Sequence, residues 1–163
     1  METIKLLLAH ADRRINNLVE VAVLDVCYER AAVQSTRTTR LDEFVHQGSL
    51  WDFDLIVVGA DQLFQDRHQR ELASVEDVAK SIEAIRSQHS TPLISLTASE
   101  DAGQALLDAG ADAVLPLPLN SEQLKSELRS RLDLNGLVED GEAGRWSGLG
   151  SLLRGFQRAK AAS

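Results

Sequence analysis

The sequence predicts a doubly wound five-stranded parallel sheet covered by helices on both faces, a three-layer α/β sandwich, followed by a flexible tail. Three observations carry this. Short apolar runs alternate five times with stretches of helical periodicity over roughly 130 residues. Each run is apolar along its whole length, the pattern of a strand buried on both faces. Parallel neighbours joined by helices cross over right-handedly, which leaves few other topologies. No internal repeat competes with this reading.

Ile4-Lys5-Leu6-Leu7-Leu8-Ala9 is too short for a helix and reads as the first strand. A helix is predicted from Ala11 to about Tyr28, with Asp12 near its start and Ile15, Leu18, Val19, Ala22 and Val26 as its buried stripe. Ala32 to Thr36 is β-branched and strand-like. Thr39 to Gln47 carries Leu41, Phe44 and Val45 at helical spacing, and Gly48 is expected to end it. Leu55-Ile56-Val57-Val58 is the third strand, stopped by Gly59. Ser74 caps a helix to about Gln88, with Glu76 and Asp77 in its first turn and Val75, Val78, Ile82 and Ile85 on one face. Leu93-Ile94-Ser95-Leu96 follows as the fourth strand. Ser99-Glu100-Asp101 opens a helix that closes at Ala109-Gly110. Ala113-Val114-Leu115 is the fifth strand, and Asn120-Ser121-Glu122 caps a last helix to about Leu132.

The 163 residues are 44% hydrophobic and 26% charged, enough to build a core and too apolar for wholesale disorder. The net charge of −8 is unevenly spread. Arg145, Arg154, Arg158 and Lys160 give residues 145–163 a charge of +4 with no acid, and taking that from −8 leaves −12 on residues 1–144. A body that acidic repels phosphate backbones, so nucleic acid is not expected as a partner. The single cysteine, Cys27, forms no internal disulfide and reads as a small packing residue. The start of the chain has no cleavable leader pattern, and no apolar run reaches the roughly 20 residues of a membrane span, so a cytoplasmic location is expected. Three segments follow: a domain over 1–134, an acidic Gly-rich linker over 135–144, and a basic amphipathic motif over 145–163.

Two phrases in the domain are familiar. Thr91-Pro92-Leu93-Ile94-Ser95-Leu96-Thr97-Ala98 resembles the fourth-strand phrase of response-regulator receiver (CheY-like) domains. Ala109-Gly110-Ala111-Asp112-Ala113-Val114-Leu115-Pro116-Leu117-Pro118 resembles their fifth-strand phrase. The resemblance spans about Lys5 to Leu132 and implies a flavodoxin-like fold with its site at the carboxyl ends of the strands. It also implies phosphoryl transfer to an aspartate with Mg²⁺ help. That chemistry needs an acid pair for a hard cation, an aspartate nucleophile, and a hydroxyl and a lysine for the phosphoryl oxygens. On this chain the acid pair falls on Ala9 and His10, the nucleophile on Gly59, the hydroxyl on Thr97 and the lysine on Leu117. The aromatic switch position falls on Val114. Only Thr97 keeps its chemistry, so a degenerate pseudo-receiver is expected, with no enzymatic activity, cofactor or metal. Asp61 and Asp12 are remote candidates for a displaced nucleophile and a displaced metal ligand.

Other residues carry weaker signals. His10, at a strand's carboxyl end, could join Asp61 and Thr97 in a small polar cluster, but reads first as a partly exposed loop residue. His46, His68 and His89 read as solvated surface. Ala60 to Glu71 exceeds the usual βα loop of about 2–6 residues, and its Leu63 and Phe64 either pack back or extend as a recognition loop. The resemblance implies the helices at Ala102–Gly110 and Ser121–Leu132 as first candidates for a partner face.

The tail departs furthest from the body. Trp146, Leu149, Leu152, Leu153 and Phe156 recur at helical offsets, with Arg154 and Arg158 on other faces. A large apolar stripe with only basic charge suits an anionic surface or a partner's groove. Gly148, Gly150 and Gly155 each cost about 1 kcal/mol of helicity, so folding on contact is expected. The function expected from all this is a non-catalytic, phosphorylation-independent signalling or positioning adaptor with protein partners, among them a second copy as a homodimer. The tail would recruit it to a membrane pole or a large assembly. The alternatives are a module sensing a small ligand in the degenerate cleft, and a cargo or scaffold adaptor addressed by its C-terminal peptide. Burying side chains of this size contributes about 1.5–3 kcal/mol each. Leu153→Asp with Phe156→Asp is therefore expected to abolish pull-down or localisation while leaving the circular dichroism and melting temperature of the body unchanged.

Overall fold

The computed structural model describes residues 2–60, 63–66, 68 and 71–132. The linker and the basic motif, with Trp146, Leu149, Leu152, Leu153, Arg154, Phe156 and Arg158, lie outside the described residues, as does Asp61. Five strands and five helices alternate: β1 (Glu2–Ala9), α1 (Arg13–Val26), β2 (Ala31–Thr38), α2 (Leu41–Leu50), β3 (Leu55–Gly59), α3 (Val75–Arg86), β4 (Leu93–Thr97), α4 (Ala102–Ala109), β5 (Ala113–Pro116) and α5 (Ser121–Arg131). The sheet order is β2-β1-β3-β4-β5 and every pairing is parallel, the flavodoxin-like doubly wound arrangement.

The unbroken apolar runs are explained by two cores. Alternate strand residues point to opposite faces. Ile4, Leu6 and Leu8 join Val19, Val23 and Val26 of α1 and Leu124 and Leu128 of α5 on one side of the sheet. Leu7 and Ala9 join Phe44 of α2, Ile82 and Ile85 of α3 and Leu106 of α4 on the other. Ser95 is the polar exception inside β4, and its hydroxyl donates to the Val58 carbonyl at 3.3 Å. Cys27, buried at the end of α1, packs in the first core, and burial pushes its thiol pKa up.

Several expectations need correction. α1 starts later and ends earlier than predicted, because Asp12 caps it and Glu29 adopts a left-handed backbone (φ 62°) just beyond it. Leu18, expected in its buried stripe, is 55% exposed, and Asn16 and Val23 are buried instead. Gly48 does not end α2. It lies buried inside the helix, where a Cβ would stand 2.5 Å from Ile85 Cδ1, so the missing side chain lets α2 approach α3. Leu63 packs fully into the second core, and Phe64 bridges the β2–α2 connection. The amide of Phe64 donates to Thr39 O at 2.9 Å, and that of Leu41 donates to Phe64 O at 2.8 Å. The described part of this long loop therefore packs back on the domain.

Arg86, at the end of α3, ties three connections together. Its Nε donates to the Gly110 carbonyl at 2.8 Å, and its other nitrogens reach the Thr91 carbonyl and the Asp112 carboxylate. That carboxylate also accepts the amide of Leu93 at 2.8 Å, fixing the start of β4. Gly110, at φ 122°, supplies the turn that brings its carbonyl to Arg86. Arg86→Met keeps the apolar stem but strands these acceptors. It is expected to cost about 2 kcal/mol in urea unfolding, with the slope unchanged.

Candidate functional site

Strand register assembles the site. Ala9 lies opposite Val58, so His10 follows beside Gly59, the last residue of β3. Gly59 lies opposite Leu96, and Thr97 opposite Pro116, which places Leu117 next to it. The five positions matched to the receiver chemistry thus meet along the carboxyl edge of the sheet, where α/β folds of this kind bind ligands.

Their side chains make other contacts there. Ala9 is buried in the second core. His10 is buried too, not partly exposed as expected. Its amide donates to Thr38 O at 3.1 Å, its carbonyl accepts Asn16 Nδ2 at 3.2 Å, and its Nδ1 accepts the Asp12 amide at 2.9 Å. Accepting through Nδ1 leaves the neutral ring's proton on Nε2. Thr97 is buried, and its hydroxyl accepts the Ser99 amide at 3.0 Å and contacts the Ser99 carbonyl at 3.3 Å, closing a local turn. Leu117 packs against the first core, while its amide donates to Thr97 O at 2.9 Å and its bond to Pro118 is cis. Val114 is half-buried against the second core.

Asp12 has a structural post. Its carboxylate caps α1 by accepting the Arg14 amide at 2.9 Å, and it holds the Arg14 guanidinium at 3.1 and 3.2 Å. Those side-chain bonds keep its carboxyl below the usual carboxylate range. Among the described residues no group of three or more His, Cys, Asp or Glu is placed to hold a metal ion. His46 and His68 are exposed, as expected, whereas His89 is mostly covered, with Nδ1 at 2.9 Å from Asp52 and Nε2 at 3.0 Å from the Ser49 carbonyl.

Sequence reasoning also passed over an arginine-rich hollow beside this edge. About 390 Å³ in volume, it is lined by Arg13, Arg37 and Arg40 with Asn16, Thr38 and Glu43. Its charges are largely matched in place, because Arg40 pairs with Asp42 and Glu43, and Arg37 with Glu20. Alternating polar residues on the edge strand β2 were the only sequence signal for it.

No protein-family model and no curated protein sequence matches the chain. Solved structures do. A CheY-like response regulator receiver domain protein from Methanospirillum hungatei JF-1 is 17% identical, with a TM-score of 0.61 over 86% of this chain and 100% of that one. The receiver domain of a sensor histidine kinase from Pseudomonas aeruginosa PAO1, with a magnesium ion coordinated in its active-site cleft, is 18% identical, with a TM-score of 0.57 over 78% and 95%. A putative pilus assembly protein from Burkholderia thailandensis E264 is 22% identical, with a TM-score of 0.58 over 78% and 97%. The fold is that of response-regulator receiver domains. No helix among the described residues is long and apolar enough to cross a membrane.

The role of Asp12 predicts a pH signature. A carboxyl with a lowered folded pKa contributes stability above its unfolded value and loses it as pH falls through the folded pKa. Asp12→Ala is expected to lower the melting temperature by a few degrees at pH 7. Asp12→Asn, which keeps a capping oxygen, should lower it less, and the deficit of both should shrink at the acid end of a pH series of thermal melts.

Proposed function

We propose that this chain is a phosphorylation-independent signalling or positioning adaptor, a receiver fold whose switch chemistry has been replaced by packing. A receiver fold points to two-component signalling and to protein partners. The observation that carries the reading is the occupancy of the phosphoryl-transfer positions. Ala9 and Leu117 contribute to the two cores, Gly59 offers no nucleophile, and the Thr97 hydroxyl is engaged with Ser99. The neighbour from Pseudomonas aeruginosa holds a magnesium ion in its cleft, and the matching positions here, Ala9 and His10, offer no carboxylate.

In this reading the body presents a folded surface and residues 145–163 supply the address. Trp146, Leu149, Leu152, Leu153 and Phe156 provide the apolar contacts, with Arg154 and Arg158 beside them. The neighbour named as a pilus assembly protein places the same fold in a protein of that kind, which favours a large assembly as the destination. Capture by full-length protein, compared with a version ending at Leu134, tests the address. Equal capture by both would remove the tail from the mechanism.

The phosphorylation claim has its own test. Intact mass spectrometry after incubation with acetyl phosphate and Mg²⁺ is expected to show no added phosphoryl group on the natural chain. Gly59→Asp should not restore one, because Ala9, His10 and Leu117 remain. The same change should lower the melting temperature by placing a carboxylate in a buried position. A phosphorylated product from either protein would overturn the reading.

A further inference from the structure

A second hollow, about 490 Å³ in volume, lies beside the edge strand β2, at the end of α2 that points away from the carboxyl edge. Register builds its floor. Leu7 faces the second core, Thr36 lies opposite it, and two residues earlier Lys5 lies opposite Gln34. Alternation therefore puts Lys5, Gln34 and Thr36 on the face that α2 packs against. α2 seals Leu7 there through Phe44 but leaves this corner open, with Lys5 and Gln34 exposed. Gln47, Leu50, Trp51 and Phe53, at the end of α2 and just beyond it, form the wall. That wall is pinned. The Trp51 amide donates to Gln47 O at 3.2 Å, the Thr91 hydroxyl donates to Phe53 O at 2.9 Å, and the Asp54 amide donates to Lys5 O at 2.7 Å. His89 lies 3.0 Å from the Ser49 carbonyl and 2.9 Å from the Asp52 carboxylate. Between these ties the Trp51 ring stands 59% exposed, so its face is presented with little left to order on binding.

The polar lining is free, in contrast to that of the arginine-rich hollow. The side chains of Lys5, Gln34, Thr36 and Gln47 make no hydrogen bond or ion pair with any described residue. What they suit follows from their chemistry. One cation, Lys5, and one acid, Asp52, leave the lining without net charge. The negative end of the α2 dipole adjoins it, which disfavours phosphate and other anions. A metal ion finds one carboxylate, already bonded to His89. A wholly apolar ligand would strip water from four polar side chains and return no bonds. Hydroxyl groups serve all four, because each both donates and accepts: they accept from the Lys5 ammonium and exchange bonds with the two amides and the Thr36 hydroxyl. A saturated ring with hydroxyls around its rim and C–H groups on its faces satisfies these side chains and the Trp51 face together.

We propose that this hollow is a binding site for a neutral sugar, one hexopyranose unit stacked on Trp51 with its hydroxyls bonded by Lys5, Gln34, Thr36 and Gln47. The proposal goes beyond the adaptor reading and needs neither the tail nor the carboxyl edge. Loss of sugar binding and loss of partner capture are thus separate readouts.

Tryptophan fluorescence of the full chain tests it, in a Trp146→Phe background that leaves Trp51 as the sole indole. The probes are the methyl glycosides of glucose, galactose, mannose and N-acetylglucosamine, with adenine and inorganic phosphate as the planar and anionic controls. A saturable shift at millimolar concentration is expected from at least one glycoside and from neither control. Followed by saturation-transfer NMR, Trp51→Ala should weaken that glycoside at least about tenfold, and Trp51→Phe should recover part of the loss. Because Trp51 is exposed, the melting temperature should not change in either variant. Gln34→Ala and Gln47→Ala should each weaken binding several-fold. Absence of a saturable shift with every glycoside overturns the proposal. So does a saturable response to adenine or phosphate without one to sugar, which would give the hollow a different ligand. Glycoside binding that survives Trp51→Ala also overturns it, by placing the site elsewhere.

Discussion

Burial of the Leu6–Ala9 half of β1 on both faces is the constraint from which the rest of the structure follows. It pairs with β2 and β3, and its two faces feed two separate cores, so Leu6, Leu7 and Leu8 are all fully enclosed. From Leu6 to Ala9 such a strand leaves no room for polar side chains, and its polar residues Glu2, Thr3 and Lys5 stand exposed nearer its start. The same condition holds for β3 and β4, whose residues are all buried.

Register brings five residues from four strands together along the carboxyl border of the sheet. Leu117 packs against the first core, Ala9 lies in the second, and Thr97 closes the turn that leads into α4. His10 holds the end of β1 to the end of β2 through its backbone and to the start of α1 through its ring. A fold alone does not set the chemistry of such an edge, which depends on the residues that occupy it.

The loop and the hollow beside that border are occupied from within the chain. The long loop after β3 returns to the body through Leu63 and Phe64, and the hollow lined by Arg13, Arg37 and Arg40 is largely matched internally. The outward face of α1 carries exposed Leu18, Val21 and Leu24.

The sequence by itself determined the element order and the parallel sheet. Runs such as Leu6-Leu7-Leu8 and Leu55-Ile56-Val57-Val58 are long enough for a strand and too short for a helix, and only burial on both faces accounts for them. Local chemistry was equally legible: Ser74 and Asn120 cap α3 and α5 through their side chains, and Gly110 takes the left-handed turn after α4. Tertiary structure decided what depends on neighbours distant in the chain. Leu18 fits the helical period of the buried stripe, yet the sheet covers only one arc of α1, and it falls outside that arc. Gly48 has the residue type of a helix end, but the approach of Ile85 turns it into a packing glycine. His10 follows a strand as a loop residue would, and only the convergence of Thr38 and Asn16 buries it. Periodicity records which residues share a face, while contact between elements determines which faces are covered.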